Sequence, residues 1–275
     1  MTGVQTCALP ISSIRSLLLS TTSFSGALPD SIGNLTMLSR IDLSSCNFSG
    51  SIPSSMANLT QMVYLDMSSN NFNGSVPSFS RAKNLTQINL SRNYLIGQIN
   101  SILWNDLPNL FNLDLRSNSL DGSIPVSLFS LPSLQKLQLS NNQFSGRLNH
   151  FSVSSYLLDT LDLSSNYLEG PVPMSVFEIH DLKFLSLSSN NFSGSLQLNK
   201  IQQLRNLSYL DISHNSLSIE YNGTNSSLSS FPKITTLRLA SSKLKTFPDF
   251  LRNQSKLRIL DLSNNQIHRE IPNWI

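Results

Sequence analysis

Acidic and amide side chains recur along the sequence at intervals of about 24 residues, each between two apolar residues. Carboxylates held on neighbouring segments are the pair that glycoside hydrolysis needs, one as general acid and the other as base or nucleophile. Glycoside hydrolysis is therefore the first activity that these residues could support. The column consists of Asp42, Asp66, Asn89, Asp114, Gln138, Asp162, Ser186, Asp211, Arg238 and Asp261.

Catalysis is nevertheless not what this pattern favours. Aspartate at this position belongs to the repeated pattern itself, and nothing in the sequence narrows the column into a pocket with converging titratable groups. Phosphate-binding, zinc-protease, serine-hydrolase and kinase motifs are missing from the sequence. Its four histidines, His150, His180, His214 and His268, are too far apart for ligand spacing. We predict no enzyme, no cofactor and no metal.

The stretch LDLSSNYLEGPVP, residues 161–173, shows what positions the column. Leu161 and Leu163 alternate with Asp162 and Ser164, the period-two pattern of a strand with one buried face. Such a strand needs a similar neighbour on each side, so the unit should repeat. Paired apolar residues recur at Leu17/Leu19, Ile41/Leu43, Leu65/Met67, Ile88/Leu90, Leu113/Leu115, Leu137/Leu139, Leu185/Leu187, Leu210/Ile212, Leu237/Leu239 and Leu260/Leu262, which predicts about eleven coils.

Asparagine follows most of these pairs, and we predict a buried ladder of amides that pairs backbone groups left open by the turn. Cys46 takes the asparagine position in its coil and is interpreted as a ladder member rather than a nucleophile. Glycine and then proline bend the outer side of each coil, which we expect to be irregular or shortly helical. The predicted ladder comprises Cys46, Asn70, Asn93, Asn118, Asn142, Asn166, Asn190, Asn215 and Asn265.

The pattern resembles the leucine-rich repeat in its plant extracellular form, LxxLxLxxNxLxGxIP, over residues 13–275. The resemblance implies a curved α/β solenoid with a parallel sheet on its concave face and an irregular or shortly helical convex side. Only 13% of the residues are charged and the net charge is +3, which argues against nucleic-acid binding. No apolar run approaches the ~18 residues of a membrane span, so a membrane anchor would have to lie outside this sequence.

Two regions depart from the repeat. Residues 1–12, MTGVQTCALPIS, look like a translated sequencing adapter, and we interpret them as an artefact that includes Cys7. Residues 219–231 lengthen one coil, and we predict a loop insertion there. We expect both native caps of the solenoid at 13–275 to be missing.

The concave face is where we expect a ligand, because adjacent parallel strands align their outward side chains into columns. Phe184 and Tyr209 lie on neighbouring coils, and exposed neighbouring aromatics suit a binding partner, although ordinary cross-strand packing explains them as well. The basic residues Arg92, Arg116 and Lys136 form a second candidate contact site. The predicted ligand-binding residues are Phe184, Tyr209, His214, Arg238, Tyr64, Arg92, Arg116 and Lys136.

Eleven Asn-x-Ser/Thr sequons occur, slightly more than composition predicts. We expect glycosylation on exposed turns or loops, whereas Asn89 falls on the strand face, where a sugar would obstruct binding. The predicted glycosylation sites are Asn34, Asn58, Asn84, Asn206, Asn222 and Asn253.

Residues 21–80 and 234–275 resemble the ectodomain of plant receptor-like proteins of the Verticillium wilt resistance type. That resemblance implies an immune receptor on the extracellular side of the plasma membrane, which perceives a microbial or endogenous protein or peptide and signals through co-receptor and adaptor receptor kinases. Two alternatives stay open. One is a secreted inhibitor of fungal cell-wall hydrolases, and the other is the ectodomain of a peptide-sensing receptor kinase.

Overall fold

The computed structural model describes residues 13–152, 157–220, 231–268 and 270–275. Residues 1–12, most of the predicted loop at 219–231, and the sequon at Asn222 lie outside the described residues.

Eleven short strands form one parallel sheet in which each strand pairs with the strand of the next coil. The register keeps equivalent leucines side by side, so that Leu137 is flanked by Leu113 and Leu161. This confirms the predicted solenoid and its repeat count. The strands are Ser16–Leu18, Arg40–Asp42, Tyr64–Asp66, Gln87–Asn89, Asn112–Asp114, Lys136–Gln138, Thr160–Asp162, Phe184–Ser186, Tyr209–Asp211, Thr236–Arg238 and Ile259–Asp261.

A second parallel sheet of nine strands runs along the glycine segments. Its strands bend away at glycines whose φ angles lie between 72° and 89°, a region that residues with a Cβ rarely adopt. At Gly122 an added Cβ would also lie 2.8 Å from Cγ of Gln98 in the preceding coil. The strands are Ser25–Ala27, Asn47–Ser51, Asn71–Gly74, Tyr94–Gln98, Ser119–Gly122, Gln143–Arg147, Tyr167–Gly170, Asn191–Gln197 and Ser216–Glu220.

Short helices complete the coils on the side opposite the eleven-stranded sheet. Within the described ranges all of them are 3-10 helices, and several begin directly after the proline of the repeat, as at Pro53 and Pro125. Proline suits this position because its fixed φ starts the turn and its missing N–H is not needed there. The helices are Asp30–Asn34, Ser54–Asn58, Trp104–Asp106, Val126–Ser130, Met174–Glu178, Leu198–Gln203 and Asp249–Asn253.

The core is one continuous apolar cluster that runs the length of the solenoid between the two sheets. Leucines of the eleven-stranded sheet, such as Leu137 and Leu161, are fully buried. Phenylalanines of successive coils stack behind them, with 6.0 Å between the ring centroids of Phe48 and Phe72. Each coil therefore buries its apolar side chains mainly against its neighbours, as expected for a solenoid.

The ladder asparagines bind backbone groups of two coils at once. Asn166 donates from Nδ2 to the carbonyl oxygens of Leu139 and Leu163, both at 3.1 Å, and its Oδ1 accepts the N–H of Phe144 at 3.0 Å. The amide therefore bridges its own coil to the preceding one. The same set of bonds is made by Asn70, Asn93, Asn118, Asn142, Asn190 and Asn215, and by Asn265 with its own neighbours.

Cys46 occupies the ladder position of its coil. Its Sγ donates to the carbonyl oxygen of Leu19 at 3.1 Å, but sulfur offers only weak hydrogen bonds and no amide acceptor. We therefore expect Cys46→Asn to raise the free energy of unfolding by about 1 kcal/mol, the net value of one added hydrogen bond. Urea denaturation of the two proteins measures the difference. Cys46→Ala should move stability in the opposite direction, and an Asn variant less stable than wild type would contradict the ladder's role.

The residue before each ladder position adopts a left-handed conformation, with φ between 53° and 57°. Small polar residues such as Ser45 and Asn141 occupy most of these positions, since a polar side chain next to the backbone tolerates this region best. Arg92 and His214 carry larger side chains at this position. Both project from the turn after a strand, and not from the sheet itself.

Candidate ligand-binding face

The eleven-stranded sheet has one side turned towards the leucine core and one turned away from it, which we call the open face. Each strand contributes two residues to it, one on either side of the central apolar residue. The register aligns these into two columns. The first column runs Arg40, Tyr64, Gln87, Asn112, Lys136, Thr160, Phe184, Tyr209, Thr236 and Ile259, and the second is the acidic column from Asp42 to Asp261.

Second-column carboxylates cap the turn of their own coil. Oδ1 of Asp162 accepts the backbone N–H of Ser164 at 3.2 Å and its hydroxyl at 2.6 Å. The same pair of bonds reaches Asp42, Asp66, Asn89 and Asp261 from the residue two positions on. These aspartates therefore stabilise the turns. The recurring Asp-x-Ser pattern is the sequence signal of this capping, but the capping was not predicted from it.

That capping disfavours acid catalysis by Asp261. A general acid in a glycosidase needs a raised pKa, so that it is protonated when the substrate arrives. The pKa of Asp261 is instead lowered, chiefly by the hydroxyl of Ser263 and then by the N–H of the same residue, because both bonds favour the charged carboxylate.

Phe184 and Tyr209 form a stacked pair in the first column. Their ring centroids lie 4.2 Å apart with an angle of 11° between the planes. Arg238 donates from Nη1 to the phenol oxygen of Tyr209 at 3.4 Å and lies 3.7 Å from Oδ2 of Asp211. Burial in this cluster, together with the nearby Asp211 charge, raises the pKa of Tyr209. The phenol therefore stays neutral at physiological pH.

His214 projects from the turn after the strand of Tyr209, and its Nδ1 lies 3.4 Å from the hydroxyl oxygen of Ser241. His214, Arg238, Asp211 and Asp261 line a shallow depression of about 320 Å³. Arg238, which contacts Tyr209, connects the stacked rings to this mixed-charge depression.

A second aromatic group lies nearer the N-terminus. The guanidinium of Arg40 sits over the ring of Tyr64 at 3.7 Å from its centroid. Burial and the neighbouring Asp66 and Asp42 raise the pKa of Tyr64. Tyr64 is among the residues predicted from the sequence to bind the ligand and Arg40 is not, although the two are adjacent in the first column and a cation over a ring is a common pairing.

The three predicted basic residues lie along a diagonal across successive coils and do not form one cluster. Lys136 stands in the first column, Arg116 lies two residues beyond the strand of the preceding coil, and Arg92 occupies the turn of the coil before that. Arg116 is already engaged, because its Nε and Nη2 contact both oxygens of Asp114 at 3.0 and 2.8 Å. That bidentate bond raises the pKa of Arg116. Arg92 and Lys136 are exposed.

The predicted glycosylation sites with described positions are exposed. They lie at the end of a 3-10 helix or in the turn before a strand: Asn34, Asn58, Asn84, Asn206 and Asn253. Nδ2 of Asn206 donates to Oδ1 of Asp181 at 3.1 Å. Asn89 differs, because it is only half-exposed on the open face, where its Nδ2 donates to Oδ2 of Asp66 at 2.9 Å. Attachment of a sugar at that nitrogen would displace this bond.

Among the residues that the structure describes, no helix combines the length and apolarity that a bilayer crossing requires. Over the same ranges, no three His, Cys, Asp or Glu side chains come close enough to hold a metal ion.

Parts of the sequence match known leucine-rich-repeat proteins. Residues 83–144 match one leucine-rich-repeat family model, and residues 37–59, 61–81 and 256–275 match a second. Receptor-like protein 49 of Arabidopsis thaliana is 48% identical over 171 residues, which is 62% of this chain and 20% of that protein. Receptor like protein 24 of the same plant is 34% identical over 170 residues, 61% of this chain and 17% of that protein. The chain thus spans about a fifth or less of these relatives.

Solved structures give the same result. The Arabidopsis receptor kinase HAESA, in complex with the peptide hormone IDA and the co-receptor SERK1, superposes with a TM-score of 0.83 and 30% identity over 92% of this chain and 42% of that one. The plant peptide hormone receptor RGFR1, in complex with RGF2, gives 0.81 and 29%, over 92% and 40%. The leucine-rich-repeat solenoid of this chain is thus similar in sequence to plant receptor-like proteins and in fold to plant peptide-hormone receptors.

Proposed function

We propose that this chain is part of an extracellular recognition domain whose open face binds a protein or peptide without covalent chemistry. The observation that carries the proposal is the stacked Phe184–Tyr209 pair, which contacts Arg238 of the neighbouring depression through the phenol oxygen of Tyr209. Rings held in register on a rigid sheet lose little further conformational entropy on binding, so they suit a binding anchor. HAESA and RGFR1, which share the fold, were solved with peptide hormones.

The finer proposal concerns defence. Similarity to receptor-like proteins, together with the resemblance to the Verticillium wilt resistance type, supports a plasma-membrane receptor that perceives a microbial ligand and signals through partner receptor kinases. On this proposal the exposed sequons carry sugars, residues 1–12 are foreign to the natural protein, and the Asp column serves structure, not catalysis.

Paired alanine substitutions test this function in the full-length receptor. The assay is the oxidative burst of plant cells challenged with a fungal culture filtrate. The variant Phe184→Ala with Tyr209→Ala should lower the potency of the filtrate in this assay about a hundredfold. Two central aromatic anchors each contribute roughly 2 kcal/mol or more to binding, and their contributions overlap in part. The matched control is Tyr94→Ala with Tyr167→Ala, two tyrosines that are 63% and 60% exposed on the nine-stranded sheet. An unchanged response in the first variant, at equal surface abundance, would remove this patch as the binding site.

The ectodomain of a peptide-sensing receptor kinase is the second candidate, because HAESA shares the fold over 92% of this chain. The two proposals make the same use of the open face. They differ in whether the full-length protein carries a kinase domain, which the sequence of its transcript would show.

A further inference from the structure

Three aspartates of the second column, Asp66, Asp114 and Asp211, are at least nine-tenths buried. A buried carboxylate needs hydrogen-bond donors for both of its oxygens. In two of the three the second oxygen has one. Oδ2 of Asp66 accepts a hydrogen bond from Nδ2 of Asn89 at 2.9 Å, and Oδ2 of Asp114 accepts one from Nη2 of Arg116 at 2.8 Å.

The second oxygen of Asp211 lacks such a donor. Its Oδ1 accepts the backbone N–H of Ser213 at 3.0 Å, whereas Oδ2 accepts no hydrogen bond in the part of the chain that the structure describes. Nη1 of Arg238 lies 3.7 Å from this oxygen, too far for a hydrogen bond, and donates to the phenol oxygen of Tyr209 instead. Because a charged oxygen on a buried side chain is costly to leave without a donor, a bound molecule that supplies one gains affinity.

Asp211 lines the mixed-charge depression of about 320 Å³, together with Arg238, Ile259 and Asp261. Pockets that take up a whole drug-sized molecule have volumes of about 300–1,000 Å³. The depression is shallow and lies at the lower end of that range. It therefore suits a single side chain of a larger ligand.

Negative charge is in excess in this depression. The register places Arg238 between Asp211 and Asp261 in the second column of three successive coils, so one carboxylate charge remains when histidine is counted as neutral. Both donors of Ser263 bind Oδ1 of Asp261, which leaves its Oδ2 without a hydrogen bond among the described residues. A cationic group would be attracted by two carboxylates here, whereas an anion would be repelled by them.

One wall of the depression is apolar, because Ile259 lines it and is 45% exposed. Lysine and arginine carry aliphatic stems that pack along apolar surface while the charged head stays near polar groups. A metal ion would leave this wall unused, and among the described residues no three His, Cys, Asp or Glu side chains are close enough to hold one. An apolar wall together with excess negative charge therefore favours a basic side chain.

The N-terminal part of the open face contains a similar combination within the chain itself. The guanidinium of Arg40 lies over the ring of Tyr64 at 3.7 Å, and the register places Asp42 and Asp66 in the second column of these two coils. A basic side chain, a tyrosine and aspartates of adjacent coils thus fit together on this sheet. In the mixed-charge depression, Oδ2 of Asp211 is still open to a basic side chain from the ligand.

We propose that the mixed-charge depression binds a basic side chain of the ligand, a lysine or an arginine, whose charged head donates to Oδ2 of Asp211 and whose stem lies against Ile259. This inference rests on the proposed function and specifies the residue type that the ligand places near the Phe184–Tyr209 pair. The aromatic pair supplies apolar contact. The depression supplies selectivity, because a ligand with an acidic residue at this point would be repelled by the carboxylates.

Asp211→Asn in the full-length receptor tests the proposal. Asn89 shows that an amide in this column can cap its turn, because its Oδ1 accepts the N–H and the hydroxyl of Ser91. The substitution therefore removes the charge and the open acceptor and keeps the shape of the side chain. In the oxidative-burst assay with fungal culture filtrate, we expect the potency of the filtrate to fall about tenfold or more at equal surface abundance, the usual effect of losing a hydrogen bond between charged groups.

The matched control is Asp42→Asn. Asp42 belongs to the same column and caps its turn through the N–H and the hydroxyl of Ser44, but it lies in a coil outside the depression. Potency in this variant should stay within about twofold of wild type. Should Asp211→Asn fail to reach the cell surface, Asp211→Ser replaces it, because Ser186 holds the same column position in the preceding coil.

The outcomes separate this inference from the proposed function. Unchanged or raised potency in the Asp211 variant would overturn the basic side chain, and raised potency would point to an acidic group of the ligand. An equal loss in Asp42→Asn would also overturn it. If the Asp211 variant responds fully while the Phe184/Tyr209 variant loses its response, the open face remains the site and only this inference fails. No response of the wild-type receptor, or no effect of the Phe184/Tyr209 variant, would count against the proposed function itself.

Discussion

Asn166→Ala is expected to lower the free energy of unfolding by about 3 kcal/mol. The substitution removes a buried amide that binds two coils, and it leaves the N–H of Phe144 without its partner. The carbonyls of Leu139 and Leu163 each lose one donor but keep the ladder amides of Asn142 and Asn190. A buried N–H left without an acceptor costs about 1–3 kcal/mol. Urea denaturation of the secreted ectodomain, followed by circular dichroism, measures the loss.

Two further variants separate the hydrogen bonds from the loss of volume. Asn166→Asp keeps the shape but replaces the donor with an oxygen that faces the carbonyls of Leu163 and Ser164, so it should destabilise at least as much as alanine. Asn105→Ala, at an exposed position on a 3-10 helix, should change stability by less than about 0.5 kcal/mol. An Asp variant as stable as wild type would contradict the role assigned to the ladder.

Trp104→Ala should be the most destabilising single substitution, by about 3–5 kcal/mol. Trp104 is the largest fully buried side chain and is 1% exposed at the start of the short helix Trp104–Asp106. Its Nε1 donates to the carbonyl of Ile99 at 3.0 Å. Alanine would leave a large cavity and would remove one of the two hydrogen bonds to that carbonyl, which keeps the N–H of Ile102 at 3.4 Å. The midpoint and slope of urea denaturation check the size of the effect.

The second tryptophan supplies the control. Trp274 is only half-buried and meets Phe247 edge-on, so Trp274→Ala should cost clearly less than Trp104→Ala. The loss of stability in Trp104→Phe should fall between those of Trp274→Ala and Trp104→Ala. Phenylalanine fills most of the volume but cannot donate to the carbonyl of Ile99. Equal losses in the two alanine variants would show that burial does not set the stability of these coils.

Much of this architecture follows from the sequence. Leu161 and Leu163 alternate with polar residues in a unit that repeats, and a half-buried strand of that kind has no stable arrangement except beside its copies. The parallel sheet, its register and the number of coils were therefore predictable. The shortness of the strands in the second sheet could not be read from the sequence.

The open face was less predictable because its side chains depend on contacts between coils. Membership of the two columns follows from the register, so the adjacency of Phe184 and Tyr209 could be foreseen. Their stacking, the bond from Arg238 and the position of Arg40 over Tyr64 depend on rotamers that no repeat pattern specifies. The capping by the aspartates, in contrast, has a signal in the sequence, the repeated Asp-x-Ser pattern. Carboxylates in neighbouring coils first suggested glycoside hydrolysis instead.

Direct binding to the open face is the most incisive measurement. The complete ectodomain would be immobilised, and the active protein of the fungal filtrate would be titrated over wild type, the Phe184/Tyr209 double alanine variant and the Tyr94/Tyr167 double alanine variant. The account predicts that the first variant binds about a hundredfold more weakly and the second binds like wild type. Equal affinity for all three proteins would contradict recognition through the open face.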